Sequence, residues 1–233
     1  MGASSCLTQM SNNTLLVGSN GFLGKNIKKI LQDNKNYKLF EIQNSEDIDI
    51  LNYEKLYSFL NDNNIDKIIN CGAFVGGISY GYKYQADLLS INSQMAINLY
   101  KASNESKVKI LINPISNCAY PEKYTFYDEK TFWDGKIHDS VFNYGLSKRL
   151  YVALGEAYFK QHNFSSVNVV LSNMYGPLDH FDAFGVFGEH PVVGGHAIDA
   201  VEGQFAQVAF TDGKSPDEER VDDATGLAGG AHR

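Results

Sequence analysis

Residues 14–24, Thr-Leu-Leu-Val-Gly-Ser-Asn-Gly-Phe-Leu-Gly, constrain everything that follows them. A short β-like apolar run leads straight into Gly18, Gly21 and Gly24, and a helix-period run over residues 22–31 starts at once. A strand that turns through glycines into a helix N-terminus suits a pyrophosphate. Gly18 lets the chain turn off the strand, Gly21 removes a side chain where backbone must approach the phosphates, and Gly24 lets the helix pack close to the sheet. The free N–H groups and positive dipole end of the helix then face the anion. In this strand–turn–helix context the spacing reads as a dinucleotide-binding turn rather than a plain structural one. Its contacts are Gly18, Asn20, Gly21, Phe22, Leu23 and Gly24.

Further along, short apolar runs at residues 37–42, 66–70, 108–112 and 167–171 read as strands. Helical spacing covers residues 53–61, 83–103 and 141–161. Alternation of this kind predicts β-α units and an α/β, Rossmann-like, doubly wound parallel sheet. Ligands of such sheets bind beyond the carboxyl ends of the strands. Gly18, Gly72, Ser116 and Asn173 all fall just after strands and are expected to share one rim.

Composition divides the chain. All 21 asparagines lie in residues 1–182, and residues 183–233 hold none. The latter stretch is rich in glycine, alanine and acid, with poor hydrophobic periodicity, and is expected to be an atypical, flexible tail in place of a substrate lobe. Residues 1–12 read as a loose leader and residues 13–182 as the dinucleotide-binding domain. A net charge of −7 with no basic stripe argues against nucleic acid as a partner. No run is long and apolar enough to span a bilayer. Cys6, Cys71 and Cys118 are scattered, which points to a reducing, cytoplasmic compartment rather than a disulfide framework. No metal is expected.

Tyr144 and Lys148 stand four apart on the helix expected over residues 141–161, so they share a face. A free tyrosine titrates near pH 10, and a neighbouring ammonium favours the phenolate and makes proton exchange workable. Ser116 follows the fourth strand, where its hydroxyl could hold a substrate oxygen opposite Tyr144. Taken alone, a Tyr–Lys pair of this spacing is usually a solvated surface pair; the glycine turn and Ser116 change that reading.

A glycine-rich turn, then Ser, then Tyr-x-x-x-Lys resembles the short-chain dehydrogenase/reductases. Val75-Gly76-Gly77-Ile78, Ser116-Asn117-Cys118-Ala119-Tyr120-Pro121, Asn173-Met174-Tyr175-Gly176-Pro177 and Asp179-His180-Phe181-Asp182 narrow the resemblance. They look like the extended branch, the NAD-dependent epimerase/dehydratase family, and within it the GDP-L-fucose synthase group. The resemblance spans residues 13–182. It implies a nucleotide-sugar epimerase/reductase that takes hydride from NADPH, acts on a 4-keto-6-deoxy nucleotide sugar, and assembles as a homodimer on its two long helices. It also implies roles: Tyr144 as proton donor to the C4 oxygen, Lys148 as the group that lowers the Tyr144 pKa and holds the nicotinamide ribose, and Ser116 as orienter of the ketone. Cys118 takes the acid–base position of epimerisation, its own residue type otherwise suggesting a small buried hydrophobe. Asp49 matches an adenine-contacting position, although a turn carboxylate accounts for it nearly as well. Gly72, Ala73, Leu171 and Asn173 complete the cofactor set.

The pattern breaks off after Asp182, so the histidine that the family pairs with the cysteine has no aligned counterpart; neither His190 nor His196 lies at its position. Gln43-Asn44-Ser45-Glu46 offers neither a clean carboxylate for NAD nor an arginine for NADP, so NADP(H) rests on the resemblance, with NAD(H) as the alternative. Lys25, Lys28, Glu129, Trp133 and Asp139 have no assignable roles. A non-catalytic dinucleotide-binding module, or a related 4-epimerase or dehydratase, is the rival reading.

Overall fold

The computed structural model describes residues 12–76, 78–174 and 176–178, together with the strand at residues 207–210; for Ile78, Ser79 and that strand only the backbone is described. The expected leader with Cys6, the motif at residues 179–182, and His190 and His196 lie outside the described residues.

The chain alternates as expected: β1 (Asn13–Val17), α1 (Phe22–Gln32), β2 (Lys38–Ile42), α2 (Tyr53–Asp62), β3 (Lys67–Asn70), α3 (Ile78–Lys83), α4 (Gln85–Glu105), β4 (Ile110–Ser116), α5 (Phe142–His162), β5 (Ser166–Leu171) and β6 (Gln207–Phe210). The sheet runs β2-β1-β3-β4-β5-β6. Strands β1 to β5 are mutually parallel, and β6 pairs antiparallel with β5, Val167 opposite Phe210. Strand order reverses between β1 and β3, which places the crevice for a ligand above their carboxyl ends.

Helices α2, α4 and α5 pack on one another in sequence. Leu15, Val17, Leu56, Leu60, Ile68, Leu99, Leu111 and Ile115 form the core beneath them. Successive strand residues point to opposite faces, so the equally buried Leu16 serves the other side of β1.

Three elements depart from the expectation. Helix α3 stands ahead of the long helix expected from residue 83, where the sequence suggested no helix. Strand β4 runs on to Ser116, through Asn113 and Pro114, where the sequence suggested a stop near Ile112. The pairing of β3 with β4 ends at Ile69–Ile112, so Pro114 faces only β5 and its missing N–H costs no bond to β3. Strand β6 lies within the stretch read as a tail. Among the described residues no helix is long and apolar enough to cross a membrane.

Candidate active site

The turn after β1 is built backbone against backbone. Gly18 has φ +73°, and a Cβ there would lie 2.7 Å from the Gly72 nitrogen. A Cβ on Gly24 would lie 2.1 Å from the Gly18 carbonyl oxygen, so α1 rests directly on the turn. The Gly18 amide donates to the Ile42 carbonyl at 2.7 Å, and the Gly21 amide to the Gly18 carbonyl at 3.1 Å. Helix α1 starts after Gly21 with no side-chain cap and no acid in its first turn. The amides of Phe22, Leu23 and Gly24 therefore face no carboxylate from their own turn.

The segment after β5 closes over this turn. Asn26 Nδ2 donates to the Pro177 carbonyl at 3.1 Å, and Gly176 sits against the Phe22 ring. Leu171 ends β5, and Asn173 stands exposed two residues beyond. With Gly72 and Ala73 after β3, the expected rim is assembled. Asn20 Nδ2 reaches across to Gln43 Oε1 at the end of β2, 3.1 Å away. Asp49 holds a turn, its Oδ1 accepting from the Leu51 amide at 2.9 Å.

Ser116 closes β4, and its Oγ accepts from the Cys118 amide at 3.2 Å, capping a single turn over Asn117–Ala119. Helix α5 bears on that turn: a Cβ on Gly145 would lie 2.5 Å from the Cys118 carbonyl oxygen. Its neighbour Tyr144 and Cys118 line one cavity of about 160 Å³, shared with Val75, Tyr82, Gln85 and Asn143. Lys148, one turn further along α5, is buried. Its Nζ stands 5.5 Å from the centroid of the Tyr144 ring and 5.1 Å from that of Tyr151.

Electrostatics here are dominated by burial. It pushes the Tyr144 phenol up to about 12, helped by Cys118. It also pushes Lys148 down to about 8, against the opposing pull of Cys71. Burial thus raises the Tyr144 pKa here, the opposite sense to the lowering expected from Lys148. The Lys148 ammonium faces the phenol ring. Burial likewise raises the Cys71 thiol to about 12, in keeping with an inert side chain.

Other contributors were missed in the sequence. Arg149 Nε donates to the Ala119 carbonyl at 2.7 Å and Nη1 to the Gly135 carbonyl at 3.0 Å. Its guanidinium carbon stands 5.6 Å and 5.7 Å from the ring centroids of Phe132 and Trp133. One buried side chain so pins both ends of the aromatic loop that leads to α5. Asn92, on α4, donates to the Phe74 carbonyl at 2.8 Å and accepts from its amide at 2.9 Å, fixing the loop after β3. The available signal was polarity inside an apolar pattern. Asp139 pairs with Lys136 at 2.5 Å beside the cavity, and burial raises the carboxyl of Glu129. Lys28 is tied to Glu41 at 2.8 Å.

Residues 14–189 match the profile of the NAD dependent epimerase/dehydratase family, well over half of the chain. The chain belongs to that family. Among curated members of the epimerase/dehydratase family it is 27% identical over 176 residues to a GDP-L-fucose synthase of Dictyostelium discoideum, covering 75% of this chain and 55% of that protein. It is 29% identical over 170 residues to a GDP-L-colitose synthase of Yersinia pseudotuberculosis, covering 72% and 54%. The chain therefore spans about half the length of the curated relatives it matches. In fold it is similar to a GDP-D-glycero-L-gluco-heptose synthase from Campylobacter jejuni, solved in the presence of NADPH (TM-score 0.70, 21% identity, 74% of this chain and 51% of that one). A GDP-L-fucose synthetase from Naegleria fowleri bound to NADP gives a TM-score of 0.66 at 24% identity, over 76% and 54%.

Proposed function

We propose that the chain is the cofactor-binding and catalytic half of a nucleotide-sugar epimerase/reductase that acts on a GDP-linked 4-keto-6-deoxy sugar. The observation that carries this reading is the convergence of Tyr144 and Cys118 on one cavity, with Ser116 two residues before Cys118 and Lys148 one turn beyond Tyr144. The epimerase/dehydratase relatives named for GDP-sugar synthesis support the substrate class.

The fit to a dinucleotide rests on the cradle that a Cβ would fill at Gly18 and Gly24 and on the uncapped start of α1. Gly18, Asn20, Gly21, Phe22, Leu23 and Gly24 would hold the phosphates, and Asp49, Gly72, Ala73, Leu171 and Asn173 the remainder, with NADP(H) preferred and NAD(H) the alternative. When bound, the cofactor supplies the hydride. The chain does the rest. Ser116 orients the sugar ketone, and Tyr144 delivers a proton to its C4 oxygen. A phenol held near 12 is a donor at neutral pH and stays protonated until needed. Lys148 holds the nicotinamide ribose and stabilises the phenolate left behind. Cys118 exchanges protons at the carbons next to or near the ketone. Helices α4 and α5 pair with those of a second copy in a homodimer, which sedimentation tests.

The deciding experiment follows NADPH consumption with a GDP-4-keto-6-deoxyhexose and analyses the product. Reduction with inversion supports the proposal; a recycled cofactor points to a 4-epimerase. A second reading is a dinucleotide-binding module without turnover. A thermal melt that rises with NADPH, with no consumption and no change on Tyr144→Phe, would establish it.

A further inference from the structure

Strands β3, β4 and β5 each carry a buried asparagine in the same cross-strand row. Asn113 pairs in register with Asn168, and Asn70 lies one step beyond the Ile69–Ile112 pair, next to Asn113. All three are almost fully buried, at 2%, 1% and 0% exposure. Such positions in a parallel sheet are ordinarily apolar, because an amide removed from water is costly unless bonded.

Here the carboxamides bond to one another. Asn70 Nδ2 donates to Asn113 Oδ1 at 3.4 Å, and Asn113 Nδ2 to Asn168 Oδ1 at 3.2 Å. Two tyrosines from the helices above join them. The Tyr100 hydroxyl accepts from Asn113 at 3.3 Å and donates to the Tyr151 carbonyl at 2.8 Å. The Tyr151 hydroxyl accepts from Asn70 Nδ2 at 3.3 Å.

Among the described residues, the Asn70 end of this row reaches the rim. Asn70 Oδ1 accepts from the Gly72 amide at 3.2 Å, and Gly72 is the residue on which Gly18 rests. At the same time Asn70 holds the hydroxyl of Tyr151, whose ring lies beneath the Lys148 ammonium. One carboxamide therefore touches both the floor of the glycine cradle and the helix that presents Lys148.

We propose that Asn70 is a positioning residue for dinucleotide binding: it sets the height of Gly72 under Gly18 and ties that height to α5 through Tyr151. The inference rests on the dinucleotide reading. Asn168, at the far end of the row, contributes to stability without acting on the cradle.

NADPH dissociation constants and melting midpoints of the full chain test this on Asn70→Leu, Tyr151→Phe and Asn168→Val. Losing a hydrogen bond that holds the cradle should weaken NADPH about tenfold in Asn70→Leu and about threefold in Tyr151→Phe, which keeps the ring under Lys148. Asn168→Val should lower the midpoint and leave the constant within about twofold. If Asn70→Leu does not fold, Tyr151→Phe against Asn168→Val decides. Affinity unchanged in the folded variants, or weakened equally by Asn168→Val, overturns the inference while the dinucleotide reading stands. Wild-type chain that binds neither NADPH nor NADH removes both.

Discussion

Gly24 stands so close to Gly18 that a Cβ on Gly24 would lie 2.1 Å from the Gly18 carbonyl oxygen, whereas one on Gly21 would lie 3.4 Å from the same atom. The two glycines serve different ends. Gly24→Ala forces backbone apart and should cost about 3 kcal/mol or more of folding stability. Gly21→Ala should melt within about 1 kcal/mol of the parent and lose NADPH affinity, because its methyl stands where phosphate approaches. Melts with and without NADPH separate the two; equal behaviour would dissolve the distinction.

Tyr144→Phe removes the proposed proton donor and leaves the ring that Lys148 faces. Turnover of a 4-keto sugar should fall by about a hundredfold or more, with NADPH affinity little changed. Retained turnover would take the role from Tyr144.

Cys118→Ser separates the two halves of the proposed reaction. Exchange of carbon-bound hydrogen with deuterated solvent should be lost, while reduction of a ketone that needs no epimerisation persists. Loss of both together would place Cys118 in the structure alone.

Burial holds the Lys148 pKa at about 8 against 10.5 when free. Between these values the unfolded chain binds a proton that the folded chain lacks, so stability rises with pH across that window. Below about pH 8 the cost of the buried ammonium is present in full. Cys71, raised from 9.0, and Tyr144, raised from 10.0, act in the opposite sense at higher pH. The difference between parent and Lys148→Met isolates the lysine: the parent should gain midpoint relative to the variant from pH 8 to 10.5. A difference that is flat with pH would contradict the assignment.

Arg149→Lys keeps a charge but cannot reproduce the guanidinium's fixed donation to both Ala119 and Gly135 while it faces the rings of Phe132 and Trp133. It should destabilise the chain by about 2–3 kcal/mol and loosen the Trp133 environment, seen as a change in tryptophan emission. Unaltered emission would mean that other contacts hold the loop.

Much of this architecture was legible because apolar period alone separates β1 from α1 and β3 from α4. The positions of Gly18, Gly72, Ser116 and Asn173 at or just after strand ends likewise marked one rim. The end of β4 was hidden, since Asn113-Pro114 is turn chemistry in isolation and becomes strand only because β5 supplies its partners. Asn70, Asn113 and Asn168 each interrupt an apolar run, and their value exists only when three distant segments align. Arg149 could pass for a solvated helix charge until the loop after Ala119 folded back onto it. Sequence shows that Tyr144 and Lys148 are neighbours, and burial then decides which way each titrates in this fold.

The contact of Gly145 with the Cys118 carbonyl carries a consequence for how such a site can change over evolutionary time. With no gap between helix and turn, the separation of Tyr144 from Cys118 is a fixed gauge. Any side chain at position 145 would push helix and turn apart and shift Tyr144 relative to Cys118. Val75, Tyr82, Gln85 and Asn143 border the same cavity. If the proposed function holds, selection can retune these walls while the gauge stays constant.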